Sequence, residues 1–73
     1  MHQTIGHLLK AARIDAGLTQ EELSHRMARE WRRAPNQGSI SSIERCLRNP
    51  SFKTLDAWTK ACGMKWEVVL SPR

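Results

Sequence analysis

Two helix starts, separated by a fixed break, constrain the fold of this chain more than any other feature of its sequence. Thr19 is followed three residues later by Glu22, which is the spacing of a capping box at the start of a helix. Asn36 is a preferred N-cap residue and marks a second start. Pro35 disfavours helical backbone at the residue before it, so one continuous helix is excluded. Residues 17–50 therefore predict two short helices joined by a turn.

The second of these helices is apolar on one face and polar on the other. Ile40 and Ile43 are three residues apart and share a face that can be buried. The residues outside that face include Gln37, Ser39 and Ser42. Their uncharged side chains carry both donors and acceptors. Such a row suits the edges of bases better than a solvated surface, where lysine and glutamate are more usual.

Three segments in this order, GLTQEEL, ISSIER and RNPSFKTL, resemble the helix-turn-helix family of phage repressors that is called the Cro/C1 or XRE type. The resemblance covers residues 5–64. It implies a mainly α, lambda-repressor-like helix-turn-helix domain of four to five helices, with the second helix of the pair in the major groove of DNA. It also implies a salt bridge between Arg13 in the first helix and Glu44 in the third.

The positions that contact DNA are predicted from this resemblance and from the spacing of basic residues. Gln37 is suited to a bidentate contact with adenine, and Gly38 leaves one contact position without a side chain. The predicted base contacts are Gln37, Gly38, Ser39 and Ser42. The predicted contacts with the DNA backbone are Gln20, Arg29, Arg33, Asn36, Arg48, Asn49 and Lys53.

The first and fourth helices are predicted from apolar residues at helical spacing. Thr4 and Ser51 are suited to cap their starts, and Gly17 and Gly63 to end them. The expected buried residues of the two helices are Ile5, Leu8, Leu9, Ala12 and Ala16 in the first, and Phe52, Leu55, Trp58 and Ala61 in the fourth.

The segment between the two central helices departs from the family pattern. Ala28 stands where the family usually has a turn glycine, and a longer spacer follows. Nothing from Arg29 to Arg33 breaks a helix, so the second helix is expected to run on toward Arg33 with Trp31 on its apolar face. That extension would align Arg26, Arg29 and Arg33 in one basic stripe. The stripe is either a solvated face or a contact with the DNA backbone.

Cysteine spacing and motif content argue against a metal site or an enzyme. Cys46 and Cys62 form no CxxC pair, and the three histidines are scattered, so both cysteines are expected to be buried thiols. Cys46 stands where the family usually has a glycine, which puts the shape of the following loop in doubt. The sequence contains no nucleophile motif and no glycine-rich phosphate loop, so no catalytic activity, cofactor or metal is expected.

The C-terminal residues 65–73 change from helical to alternating periodicity. The apolar residues of a predicted short strand are Trp66, Val68 and Leu70. The chain is therefore divided into a helix-turn-helix DNA-binding domain over residues 1–64 and a dimerisation strand over residues 65–73. A lone strand leaves its edges unpaired, so pairing with the same strand of a second chain is expected. HipB-type antitoxins resemble this arrangement. The alternatives are a tail packed over its own helices, or a dimer formed by the helical domains through Trp58.

Length and charge limit the class of partner. A chain of 73 residues forms one domain with a modest core, and association with a second copy is a common source of further stability. The net charge of +5 and the isoelectric point of about 10.0 suit the phosphates of DNA or an anionic membrane. No apolar run is long enough to span a bilayer and no signal peptide is evident, so a cytoplasmic protein without a membrane partner is expected.

The function predicted from these features is sequence-specific regulation of transcription by a homodimeric repressor. Its partners would be an operator in double-stranded DNA and a second copy of the chain. Two alternatives stay open. One is an antitoxin that represses its own operon and also binds a toxin protein. The other is a protein-interaction module that keeps the fold without binding DNA, against which the basic charge and the polar third helix argue.

Overall fold

Four helices make up the part of the chain that the computed structural model describes, residues 5–64. In chain order they are α1 (Ile5–Asp15), α2 (Gln20–Glu30), α3 (Gln37–Glu44) and α4 (Phe52–Ala61). Residues 5–64 contain no strand, and the prediction of a mainly α fold is confirmed for them. The predicted strand with Trp66, Val68 and Leu70 lies outside the described residues.

The core is a single apolar cluster between the four helices. α2 packs against α3 and α4, and α1 packs against the same two helices. Trp58 of α4 is completely buried, and its indole Nε1 donates a hydrogen bond to the carbonyl oxygen of Leu9 at 3.1 Å. Because Trp58 exposes no surface, a dimer through its side chain is excluded. The buried apolar residues are Leu9, Leu18, Leu23, Met27, Ile40, Ile43 and Trp58.

α1 is rotated about its axis relative to the sequence prediction, which was wrong for three of the five residues expected to be buried, Ile5, Leu8 and Ala16, the last of which is exposed just after the helix ends. Ile5 and Leu8 are 38% and 52% exposed, whereas Gly6 and Leu9 are buried. The cause is a close approach of α1 to the end of α3. A methyl group on Gly6 would overlap the carbonyl oxygen of Ile43. The glycine therefore takes the position closest to α3, and the larger side chains turn outward.

The start of α2 matches the predicted capping box. The Thr19 hydroxyl accepts a hydrogen bond from the Glu22 backbone N–H at 3.0 Å, and the Glu22 carboxylate accepts one from the Thr19 N–H at 2.9 Å. The bond from the Thr19 N–H lowers the pKa of Glu22. A lowered pKa in the folded state means that this contribution to stability is present at neutral pH and is lost as the pH falls through the folded pKa.

The end of α2 differs from the prediction. The helix stops at Glu30, and Trp31 has extended backbone with φ −143° and ψ 109°, so the expected run to Arg33 was wrong. Two contacts hold the following residues in a turn. The Ser24 hydroxyl donates a hydrogen bond to the Pro35 carbonyl oxygen at 3.0 Å, and Ala34 packs against the core. Continuing the helix would remove both contacts.

Side-chain caps open α3 and α4 as predicted. The Asn36 amide oxygen accepts a hydrogen bond from the Ser39 N–H at 2.9 Å, and the Ser51 hydroxyl accepts one from the Thr54 N–H at 3.1 Å. Phe52 was expected to be buried but is 64% exposed. It is the first residue of α4 and lies beyond the part of that helix that covers the core.

The loop between α3 and α4 has a residue other than glycine in a backbone conformation that glycine usually adopts. Cys46 has a φ of +65°, a left-handed conformation that costs a residue with a side chain roughly 1–2 kcal/mol. Cys46 is exposed and Cys62 is half-buried, so the prediction of two buried thiols was wrong for Cys46. Burial raises the pKa of the Cys62 thiol, which keeps it protonated at neutral pH.

Replacing Gly6 tests the close approach of α1 to α3. Gly6→Ala is expected to lower the free energy of unfolding by roughly 2–3 kcal/mol, because the new methyl group forces the two helices apart. Gly38→Ala is a matched control, because its new methyl group would meet only the Asn36 amide oxygen, at 3.6 Å. This substitution also replaces a glycine inside a helix by a residue with a higher helix propensity. That control should be neutral or raise stability by up to roughly 1 kcal/mol. Urea unfolding followed by circular dichroism measures both. Equal stability of the Gly6 variant and the wild type would contradict the packing.

Candidate nucleic-acid interface

A buried ion pair fixes the position of α3 against the first two helices. The Arg13 guanidinium donates from Nε to Glu44 Oε2 at 2.6 Å and from Nη2 to Oε1 at 3.1 Å. Its Nη1 donates to the carbonyl oxygen of Leu18 at 2.7 Å, just before α2. The two side chains are 11% and 2% exposed. The salt bridge implied by the family resemblance is therefore confirmed.

Gln20, the first residue of α2, belongs to the same network. Its side-chain Nε2 donates to Glu44 Oε1 at 3.0 Å, and the residue is half-buried. The contact ties the start of α2 to the end of α3. The side chain that was predicted to contact the DNA backbone thus has an internal partner for its amide nitrogen.

The outer face of α3 is the side opposite its buried residues. Ile40, Ile43 and Glu44 are buried. Residues that are three, four or seven positions apart share one face of a helix. Four residues with this spacing lie on the side of α3 that faces away from the core. They are Gly38, Ser41, Ser42 and Arg45, of which the glycine and the arginine are exposed and the serines half-buried.

The predicted base-contacting residues are divided by this geometry. Gln37 and Gly38 are exposed, and Ser42 lies on the outer face. Ser39 lies beside it, where its hydroxyl accepts a hydrogen bond from Arg48 Nη1 at 3.1 Å. Arg45 was missed by the sequence analysis. The seven-residue spacing from Gly38 to Arg45 is a signal that would have found it.

Four predicted backbone-contacting residues lie together in one cleft, which we call the arginine cleft. It has a volume of about 380 Å³ and opens between the α2–α3 turn and the α3–α4 loop. The starts of α3 and α4 both border it, and helix starts carry partial positive charge. The described residues that line it include no acidic side chain. They are Arg33, Ala34, Pro35, Asn36, Ser39, Ile43, Arg48, Asn49, Pro50, Ser51 and Thr54.

Arg29 lies in a different cleft, between α2 and α4. That cleft has a volume of about 340 Å³ and includes the side chains of Arg26, Glu30 and Lys60. Arg26 Nη1 donates to the Ala61 carbonyl oxygen at 3.4 Å. Because α2 ends at Glu30, the predicted stripe of arginines along one helix does not exist. The arginines of the stripe line two separate clefts instead.

Lys53, the last of the predicted backbone-contacting residues, is exposed near the start of α4. Its Nζ lies 5.7 Å from the centre of the Trp31 ring, within the range of a cation–π interaction. The interaction joins the start of α4 to the residue that ends α2. Trp31 is half-buried although it lies just past the end of α2.

The described residues offer neither a metal-binding cluster nor a membrane-spanning helix. Between Ile5 and Met64, no three histidine, cysteine, aspartate or glutamate side chains come close enough together to bind a metal ion. None of the four helices combines the length and the apolar character that crossing a bilayer requires.

Comparison with known proteins shows a shared fold. No protein-family profile matches the chain, and no characterised protein matches its sequence significantly. A solved structure, that of a mutant of the restriction-modification controller protein C.Esp1396I, superposes with a TM-score of 0.71. The sequence identity is 23%, and the match covers 93% of this chain and 92% of that protein. The two chains therefore have the same helical architecture.

The network around Glu44 makes a prediction for stability. Glu44→Ala should lower the free energy of unfolding by roughly 3–5 kcal/mol, because it leaves the Arg13 guanidinium buried without its carboxylate. A double-mutant cycle with Arg13→Ala measures the coupling between the two side chains. Asp56→Ala is the matched control, since it breaks the exposed pair of Asp56 with Lys60, in which the lysine side chain is 69% exposed. Its cost should stay below roughly 0.5 kcal/mol. A cycle without coupling would reject the proposed role of the ion pair.

Proposed function

We propose that this chain is a sequence-specific regulator of transcription, a homodimeric repressor that binds double-stranded DNA with α3 in the major groove. The observation that carries this proposal is the position of the outer face of α3 next to the arginine cleft. A helix face on which two serines offer donors and acceptors and Arg45 offers donors suits base edges, and a cleft without acidic side chains suits phosphates. The net charge of +5 and the likeness in fold to a restriction-modification controller protein support it.

Base contacts in this proposal come from the start and the outer face of α3. Gln37 forms a bidentate contact with adenine, and Ser42 and Ser39 reach base edges or neighbouring phosphates. Gly38 has no side chain and lets the helix approach the floor of the groove. Arg45, at the other end of the outer face, is suited to guanine or to a phosphate.

Backbone contacts come from residues on either side of α3. The arginine cleft supplies Arg33, Asn36, Arg48 and Asn49, and Lys53 extends the basic surface along α4. The backbone at the start of α2, next to Gln20, presents N–H groups to a phosphate, as helix starts commonly do. Arg29 lies in the other cleft and adds to the general attraction of the protein to DNA.

The symmetry of the proposed dimer sets the spacing of its operator. Two copies of α3 would enter successive major grooves about 34 Å apart. Pairing of the strand with Trp66, Val68 and Leu70 across the two-fold axis remains our proposal for the dimer contact, and these residues lie outside the described part of the chain.

Two related roles share this DNA-binding proposal. Control of restriction–modification genes is favoured by the likeness to C.Esp1396I, which extends over more than nine-tenths of both chains. An antitoxin that also binds a toxin protein is the second role. The genes next to this one distinguish them, because an endonuclease and methyltransferase pair supports the first and a toxin supports the second. Absence of salt-dependent DNA binding would instead favour an interaction module without DNA.

Base contact by Gln37 is tested by binding-site selection. Gln37→Ala should lose roughly 1–3 kcal/mol on the selected site and relax the preference at one base pair. Arg33→Ala is the contrasting variant, because a phosphate contact weakens binding to all sequences alike and flattens the salt dependence. If the selected site stayed the same after Gln37→Ala, α3 would not recognise bases through this residue.

Truncation after Gly63 tests the proposed dimer contact. The truncated protein should be monomeric in sedimentation equilibrium and bind DNA weakly and with little sequence preference, because one copy of α3 cannot span two half-sites. Circular dichroism of the truncated protein controls for loss of the helical fold. A folded, truncated protein that stayed dimeric and kept full operator affinity would overturn the strand-pairing proposal.

A further inference from the structure

The turn between α2 and α3 holds an arginine in a defined place. It runs from Trp31 to the cap residue Asn36, and Arg33, an exposed residue that lines the arginine cleft, lies in its middle. The Ser24–Pro35 hydrogen bond of 3.0 Å and the packing of Ala34 against the core fix the turn on the side after Arg33. Such anchors reduce the conformational freedom that a ligand would otherwise have to restrict.

The arginine cleft is also lined by a second arginine, which comes from a different loop and has a side-chain anchor. Arg48 comes from the α3–α4 loop, and its Nη1 donates to the Ser39 hydroxyl at 3.1 Å. A guanidinium carries five N–H donors in a planar fork, so this bond uses one of them. The remaining donors can form the paired bonds that arginine typically makes to phosphate.

The charges around the two clefts decide which of them suits an anion. The cleft between α2 and α4 contains Glu30, and its Lys60 pairs with Asp56 at 3.2 Å. Among the described residues, the arginine cleft is lined by two guanidinium groups and no carboxylate. Two cations that share one cleft repel each other, and an anion bound between them offsets that repulsion by attracting both.

We infer that Arg33 and Arg48, which come from different loops and line the same cleft, bind the same phosphate of the DNA backbone. This inference rests on the proposed DNA-binding function and gives the long α2–α3 turn a role, which is to bring a second cation to a phosphate beside α3. It also links that phosphate to the base-contacting helix, because Arg48 holds Ser39 of α3.

A shared phosphate makes the two arginines non-additive in DNA binding. Arg33→Ala and Arg48→Ala should each weaken binding to the selected operator about tenfold, the loss of one charge-assisted contact. The double variant should lose little more than either single variant, far less than the roughly hundredfold loss that independent contacts predict. The slope of log K against log salt should fall by about 1 in the double variant rather than by about 2.

Neutral methylphosphonate groups, placed one at a time along the operator backbone, identify the phosphate directly. At one position in each half-site, neutralisation should weaken the wild type and make Arg33→Ala, Arg48→Ala and wild type bind about equally. Arg29→Ala, from the other cleft, is the control and should keep its own effect on that DNA. Circular dichroism confirms that each variant is folded, and Arg33→Gln and Arg48→Gln repeat the test with longer side chains.

The possible outcomes separate this inference from the proposed function. Two different sensitive phosphates, or losses that multiply to about a hundredfold, would overturn the shared site while leaving DNA binding intact. An Arg33→Ala variant that binds the operator as tightly as the wild type would also overturn the shared site and leave the proposed DNA binding intact. A wild-type protein without salt-dependent binding to any duplex would overturn the proposed function and this inference together.

Discussion

The position of α3 depends on a carboxylate that side chains from two other helices bind at once. Glu44 receives two hydrogen bonds from Arg13 of α1 and one from Gln20 at the start of α2, and Arg13 also holds the Leu18 carbonyl oxygen. Burying an ion pair is costly unless its polar atoms find such partners, so the network stabilises one arrangement of the helices more than it adds to total stability. α3 has eight residues, two of them large and apolar in the core, and that alone would leave its direction loosely determined.

Features set by neighbouring residues could be predicted from the sequence. The caps of α2, α3 and α4 were predicted because each needs a side chain and a backbone N–H three residues apart. Features set by packing between helices could not be predicted from the sequence. Helical periodicity placed Ile5 and Leu8 toward the core, but the contact of Gly6 with α3 rotates the helix. Residues 29–33 contain no helix breaker, yet contacts made by later residues end α2 at Glu30.

In the candidate interface, too, features set by local spacing could be predicted from the sequence, and features set by the path of the folded chain could not. Arg45 was within reach of the sequence, because its seven-residue spacing from Gly38 places it on the face opposite Ile40 and Ile43. The grouping of Arg33 with Arg48 was not, since it depends on the path of the α2–α3 turn and on the left-handed backbone at Cys46. A pattern of basic residues indicates an anionic partner, but only the folded chain decides which of those residues share a cleft.

Stability and DNA recognition are tied together because the same short helix serves both. The end of α3 is held by Glu44, and its start by the Asn36 cap and by the bond between Arg48 and Ser39. In a domain of this size the total free energy of unfolding is a few kcal/mol, so each polar anchor is a substantial fraction of it. Anchors at both ends also restrict the tilt of α3, and a base contact made through a side chain as short as serine requires that restriction, because its reach is small. A ligand that binds the folded state stabilises it, so a phosphate in the arginine cleft would strengthen the start of the helix that it positions.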